Sequence, residues 1–229
     1  MMKGNCEVIQ IANEKLLMEK YISLDIESMG LLPWYGDRIT CICAKDSDGN
    51  KFEMVHKAED AIINDFLYWL NKHDSKEYTI ITKNGKQFDI PFIMTRCANV
   101  LETITEGIDL LDYPHFDLQE LTKKRISLDD MAKLLGCTPK SGNGLNAIKL
   151  WEEGKFDELK EYCMQDVETT EEVYLRWKML QKFSEIVKEV DIQIEHHKKE
   201  DNGLAVNSLI YIKDLLEVRE SEKHLGLNK

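Results

Sequence analysis

The sequence predicts an α/β domain, with a mixed five-stranded sheet flanked by helices and a mainly helical C-terminal appendage. Two observations carry that expectation. The first three regular segments read as strands with hairpin character. After them, helical and strand patterns alternate, and the order closes on a series of helices.

The strands come first as "KYISLDIE", "DRITCICAKD" and "KFEMVH". The second and third are joined by "DSDGNK", whose Asp48-Gly49 pair is a hairpin signal. In "AEDAIINDFLYWLNKH" apolar residues recur at helical spacing, with acids near the start where the helix dipole favours them. "EYTIITKNG" reads as a buried strand ending at Asn84-Gly85. Pro91, a residue favoured in a first helical turn, opens the helical stretch "PFIMTRCANVL". "HFDLQEL" is expected to supply the fifth strand. Three helices follow: "SLDDMAKLLG", begun by Ser127 with Asp130 three residues on; "GLNAIKLWEEG"; and "FDELKEYCMQDVETTEEVYLRWKML", capped by Asp157. The loop "CTPKSGNG" separates the first two. The α/β domain is expected to span residues 1–180. Residues 181–229 form the helical appendage, broken at "EDNG".

A chain of 229 residues, 43% hydrophobic and 31% charged, is long enough for a substantial core. No stretch approaches the roughly eighteen apolar residues of a membrane span. The first residues hold no apolar run of the length a secretory signal needs, so a cytoplasmic location is expected. The six cysteines form no C-x-x-C pair, and Cys41 and Cys43, on one strand face, are expected to be buried free thiols. A net charge of −12 argues against polyanion binding over the whole surface. It leaves room for a nucleic-acid enzyme, because a cluster of acids that holds divalent metal is itself negative.

Three acidic patterns stand out. In "YISLDIESMG", strand alternation puts Asp25 and Glu27 on one face with Tyr21 and Ser23, roughly 6.5 to 7 Å apart along the backbone. Two like charges side by side on a central strand are costly without a cation; a solvated edge strand would tolerate them. In "KNGKQFDIPF", Asp89 lies just past a strand and just before a helix, where ligands gather in α/β sheets and where Asp also serves as a cap. In "EYCMQDVETT", Tyr162 and Asp166 share one helix face. Acids delivered by several rigid elements suit paired divalent ions, leaving positions for phosphate and water.

"LDIES", "NGKQFD" and "YCMQD" together resemble the three motifs of the DnaQ-like (DEDD) 3′–5′ exonucleases, tyrosine subclass. That subclass includes the proofreading domains of family A and family B DNA polymerases. The stretch "LWEEGKFDELKEYCMQDVETT" further resembles stand-alone predicted exonucleases related to the family B proofreading domain. The resemblance covers roughly residues 20 to 180. It implies a ribonuclease-H-like sheet and two-metal phosphodiester hydrolysis with two Mg²⁺ or Mn²⁺ ions per site. By the same likeness, Asp25, Glu27, Asp89 and Asp166 hold the metals and Tyr162 orients the attacking water. A phenol, with an ordinary pKa near 10, is a poor base at neutral pH. Ser28, Met29, Asn84 and Phe88 are the expected substrate contacts, with Trp34, Tyr35, Lys83, Lys86 and Lys140 as further candidates. The expected partner is nucleic acid, in the form of single-stranded DNA 3′ ends. A 3′–5′ exoribonuclease or a catalytically silent nucleic-acid-binding module are the alternatives, and no protein partner can be read.

Overall fold

The computed structural model of the chain describes residues 19–100, 110–138, 145–200, 203, 205–211 and 213. These residues fall into two compact units that divide between Tyr174 and Leu175. The N-terminal unit holds a five-stranded sheet of β1 (Lys20–Met29), β2 (Arg38–Asp46), β3 (Lys51–Val55), β4 (Tyr78–Thr82) and β5 (His115–Asp117) in the order β3-β2-β1-β4-β5. The β1–β2 and β2–β3 pairs are antiparallel, whereas β4 and β5 join in parallel register. The sheet is therefore mixed, as expected. The described α-helices are α1 (Glu59–Leu70), α2 (Asp89–Val100), α3 (Leu128–Leu134), α4 (Leu145–Glu152) and α5 (Phe156–Lys199).

Strand β1 is central, hydrogen-bonded to β2 on one side and β4 on the other. The pairing with β4 ends at Ser23, so Asp25 and Glu27 lie just beyond it, where the Asp89 carboxylate and not a neighbouring strand takes the Ile26 N–H. Its even-numbered side chains Ile22, Leu24 and Ile26 enter a core with Ile62, Phe66 and Leu70 of α1 and Phe92 and Ile93 of α2. The odd-numbered face lies toward α5. There Ser23 Oγ donates to the Val167 carbonyl at 2.8 Å, and Tyr21 donates its hydroxyl proton to Glu171 Oε1 at 3.0 Å. On this second face Cys41 and Cys43 of β2 pack with Ala147 and Leu150 of α4 and Leu159, Tyr162, Cys163 and Val167 of α5. Cys41 and Cys43 are buried free thiols, in line with expectation, and the other three described cysteines are free as well.

Several element bounds differ from the sequence reading. Helix α2 begins at Asp89, two residues before Pro91. A proline is tolerated there because first-turn N–H groups have no partner inside the helix. Strand β5 has only three residues, and Leu118–Leu121 turns into a 3-10 segment that Asp117 caps by accepting from the Gln119 N–H. Helix α5 starts at Phe156, so Asp157 lies in its first turn rather than at the cap. Ser127 does cap α3, accepting from the Asp130 N–H at 3.0 Å while its hydroxyl donates to the Asp130 carboxylate at 2.7 Å. Asp201 and Asn202 of the expected break lie outside the described residues, as do 139–144 of the loop before α4.

Within the C-terminal unit the described residues are helical apart from the turn at Glu200, and Lys213 Nζ meets both Asp191 carboxylate oxygens at 2.7 and 2.9 Å. Among the described residues no helix is long and apolar enough to cross a membrane.

A candidate metal-dependent active site on the central strand

Asp25 and Glu27 leave β1 on its α5-facing side, both half-buried. The register of β1 against β2 shifts between Glu27 and Ser28, and Thr40 Oγ1 donates to the Glu27 carbonyl at 3.1 Å. Such a bulge bends a strand and re-aims the side chains beyond it. It places Ser28, whose hydroxyl donates to the Gly30 carbonyl at 2.6 Å, and Met29 at the exit from the acidic pair.

Asp89 is 3% exposed, and its Oδ1 accepts the Ile26 N–H at 3.2 Å. Ile26 sits between Asp25 and Glu27, so the second motif is held directly against the first. The carboxyl of Asp89 thus reaches across to β1 while also accepting from its own backbone N–H at the helix start. Burial pushes its pKa up to about 7, and the nearby Asp117 and Asp166 carboxylates act in the same direction.

Helix α5 brings the third motif. Tyr162 and Asp166 are both buried, at 7% and 8% exposure. Between them Cys163 places its sulfur 3.6 Å from Asp25 Oδ2 and 3.5 Å from the Asp25 carbonyl. Burial holds the Cys163 thiol well above its ordinary pKa, so it stays protonated and donates to Asp25. The structure therefore sets Asp25 and Glu27 beside Cys163 of α5, holds Asp89 on the β1 backbone between them, and brings Asp166 near enough to Asp89 for its charge to be felt, with Tyr162 one residue before Cys163 on the same helix.

The turn that delivers Asp89 is built by an acid the sequence reading missed. Asp117, 3% exposed at the end of β5, accepts from Asn84 N at 2.7 Å, Lys86 N at 3.0 Å and Gln119 N at 2.9 Å. Asn84 adopts φ +68°, a left-handed conformation that asparagine tolerates better than most residues. Gly85 has no room for a β-carbon, which would collide with the Thr82 side chain. The one available signal for Asp117 was its place at a strand end in "HFD".

The expected substrate residues separate. Phe88 is half-buried, 5.4 Å from the Phe92 ring and packed on the main core, while Asn84 owes its conformation to the turn. Lys83 bonds Gln119 at 2.6 Å and Lys86 bonds Glu120 at 2.8 Å, whereas Lys140 lies outside the described residues. Trp34 and Tyr35 are 61% and 79% exposed, so neither is core packing.

The residues present fit a divalent cation. Carboxylate oxygens of Asp25 and Glu27 and the Cys163 sulfur lie within 4.8 Å of one another. Carboxylates this close repel unless a cation lies between them, and hard oxygen donors select Mg²⁺ or Mn²⁺ over softer ions. The thiol, protonated and engaged with Asp25, is no ligand for such an ion.

The family model described as the RNase_H superfamily matches residues 22–178. No curated protein matches the chain. Among solved structures, the family B DNA polymerase from the hyperthermophilic archaeon Pyrobaculum calidifontis is similar, with a TM-score of 0.55 and 16% sequence identity. The match covers 76% of this chain and 26% of the polymerase, about a quarter of its length. At that identity the likeness speaks for the fold alone.

Proposed function

Because the chain belongs to the RNase H superfamily, we propose that it is a metal-dependent 3′–5′ exonuclease. It hydrolyses phosphodiester bonds of single-stranded DNA and releases nucleoside 5′-monophosphates. The observation that carries this reading is the Asp89 carboxyl, fully buried and bonded to the backbone between Asp25 and Glu27. Burying an acid within reach of the Asp117 and Asp166 charges is expensive for a merely structural purpose, and a bound cation would offset it.

Asp25, Glu27, Asp89 and Asp166 would hold the metal. Two divalent ions, when bound, supply a water acidic enough to attack at neutral pH and charge stabilisation for the departing 3′ oxygen. The Tyr162 hydroxyl orients the attacking water, which adds to phosphorus while the bond to the 3′ oxygen breaks and that oxygen takes up a proton. Ser28 and Met29, at the bulged exit of β1, contact the terminal nucleotide. Phe88 and Asn84 flank Asp89, where an aromatic edge and an amide are within a few residues of the site. Asp117 acts through the turn it ties down and through its charge on Asp89, as a positioning residue. The activity is assigned to residues 1–180, with 181–229 as an appendage.

Oligonucleotides of DNA and RNA labelled at the 5′ end, single- and double-stranded, test the reading with Mg²⁺ or Mn²⁺ present. A ladder shortening from the 3′ end of single-stranded DNA is expected. EDTA abolishes it, and Asp89→Ala lowers the rate by at least about 100-fold. Equal digestion by Asp89→Ala sinks the metal assignment. A ladder on RNA alone replaces the substrate with its ribose counterpart, and a chain that binds but never cuts is the silent module.

A further inference from the structure

Beside the acids lies a cleft of about 500 Å³ lined by Met29, Arg38, Lys57, Trp151, Glu152 and Phe156. Its volume is within the usual range for small-molecule sites. Met29 is two residues beyond Glu27 on β1, past the register shift, and pairs with Arg38 of β2, so the cleft begins at the exit of the strand from the acids. Trp151 packs against the cluster that contains Cys41, Cys43 and Tyr162, which places the cleft on the same sheet face as the carboxylates.

The walls combine rings and cations. The Trp151 and Phe156 ring centroids are 5.1 Å apart, with 43° between their planes. The Arg38 guanidinium lies 5.2 Å from the Trp151 centroid, and Lys57 Nζ lies 5.9 Å from that of Phe156. Arg38 is held in place by a 2.6 Å bond from Nη2 to the Lys57 carbonyl. Gly154, at φ +70° with open space where a β-carbon would be, turns the chain between α4 and α5 and keeps the rim low. In a chain of net charge −12, two cations beside two aromatic rings, against the single acid Glu152, favour an anionic ligand with a flat face.

We propose that this cleft binds one nucleotide of the single-stranded substrate, adjacent to the one being removed. Its base stacks on the Trp151–Phe156 wall, and Arg38 and Lys57 take its phosphate. The proposal rests on the nuclease reading and adds a reason for strand preference, because a base held in a duplex cannot enter.

The test is binding of a fluorescent (dT)8 strand to the full chain in EDTA, followed by anisotropy, where hydrolysis cannot occur. Loss of a stacked base is worth about 10-fold or more, so Trp151→Ala weakens binding by that factor and Trp151→Phe, which keeps a ring, by less than about 3-fold. Lys57→Ala changes an exposed side chain, so the fold is retained, and the slope of affinity against salt falls by about one ion. Strands carrying one abasic site, moved through the last four nucleotides, add a positional readout. One position costs the wild type affinity but costs Trp151→Ala nothing. Equal binding by wild type and Trp151→Ala, an abasic penalty independent of Trp151, or no binding by the wild type each overturns the proposal. Binding that depends on Trp151 without cleavage in Mg²⁺ or Mn²⁺ leaves the cleft standing and removes the nuclease; cleavage with Trp151-independent binding does the reverse.

Discussion

Replacing Asp89 by Asn should remove a pH-dependent part of the stability of the metal-free protein. The folded Asp89 carboxyl titrates near pH 7, well above an unfolded aspartate at about 3.9. The folded state therefore keeps a proton that the unfolded chain gives up. The stabilisation is full below about pH 4 and is lost as pH rises through about 7. A gap of about 3 pH units at about 1.4 kcal/mol each amounts to about 4 kcal/mol. Asparagine retains an oxygen to accept the Ile26 N–H but has no proton to lose. In EDTA, urea unfolding from pH 4.5 to 8 should show wild type losing about 3 kcal/mol of that stabilisation relative to Asp89→Asn, the remainder lying below pH 4.5. That corresponds to roughly 6 to 12 °C in melting temperature for a chain of this size. Adding Mg²⁺ or Mn²⁺ should cancel the wild-type loss, because a cation takes the place of the proton. Parallel pH profiles for the two proteins in EDTA would refute the placement of a buried, proton-holding carboxyl beside Ile26.

Two other substitutions separate positioning from stability. Asp117→Ala leaves the amides of Asn84, Lys86 and Gln119 without their acceptor, and should cost about 3 kcal/mol in urea unfolding while lowering kcat at least 10-fold, as roughly expected for a site displaced by about an ångström. Glu59→Ala removes the partner of Arg96, bonded at 2.6 and 2.9 Å in a pair whose side chains are 7% and 11% exposed, together with the acceptor of Ile39 N at 2.7 Å. It should destabilise by about 3 to 5 kcal/mol, while Glu59→Gln, keeping an acceptor, should cost less.

Much of the site was legible because each motif is local. A strand repeats every second residue, so Asp25 and Glu27 had to share a face; a helix brings residues four apart together, so Tyr162 and Asp166 did too. The position of Asp89 between a strand and a helix came from Gly85 and Pro91 on either side. Other features had no local signature. Asp117 meets Asn84 across 33 residues, a contact that exists only because β5 pairs in parallel with β4. The contact of Cys163 with Asp25 spans 138 residues and depends on α5 packing over β1. "HFDLQEL" read as one apolar stretch, yet Asp117 captures the Gln119 N–H and turns the chain after three residues, a competition between side chain and ladder that periodicity does not register. Trp151 and Arg38, which meet in a cation–ring contact on the cleft wall, belong to segments whose apolar patterns gave no reason to pair them.

The amino-acid order alone determined the identity of the acids, the element that carries each, and the alternation that builds a mixed sheet with helices. Tertiary structure decided that β1 is central instead of at an edge, that Asp89 is sealed from water, and that an acid from β5 ties down the turn before it. The physical reason is the range of the forces involved. Backbone geometry repeats over a few residues, whereas burial and the convergence of charge depend on which distant strands come to lie side by side.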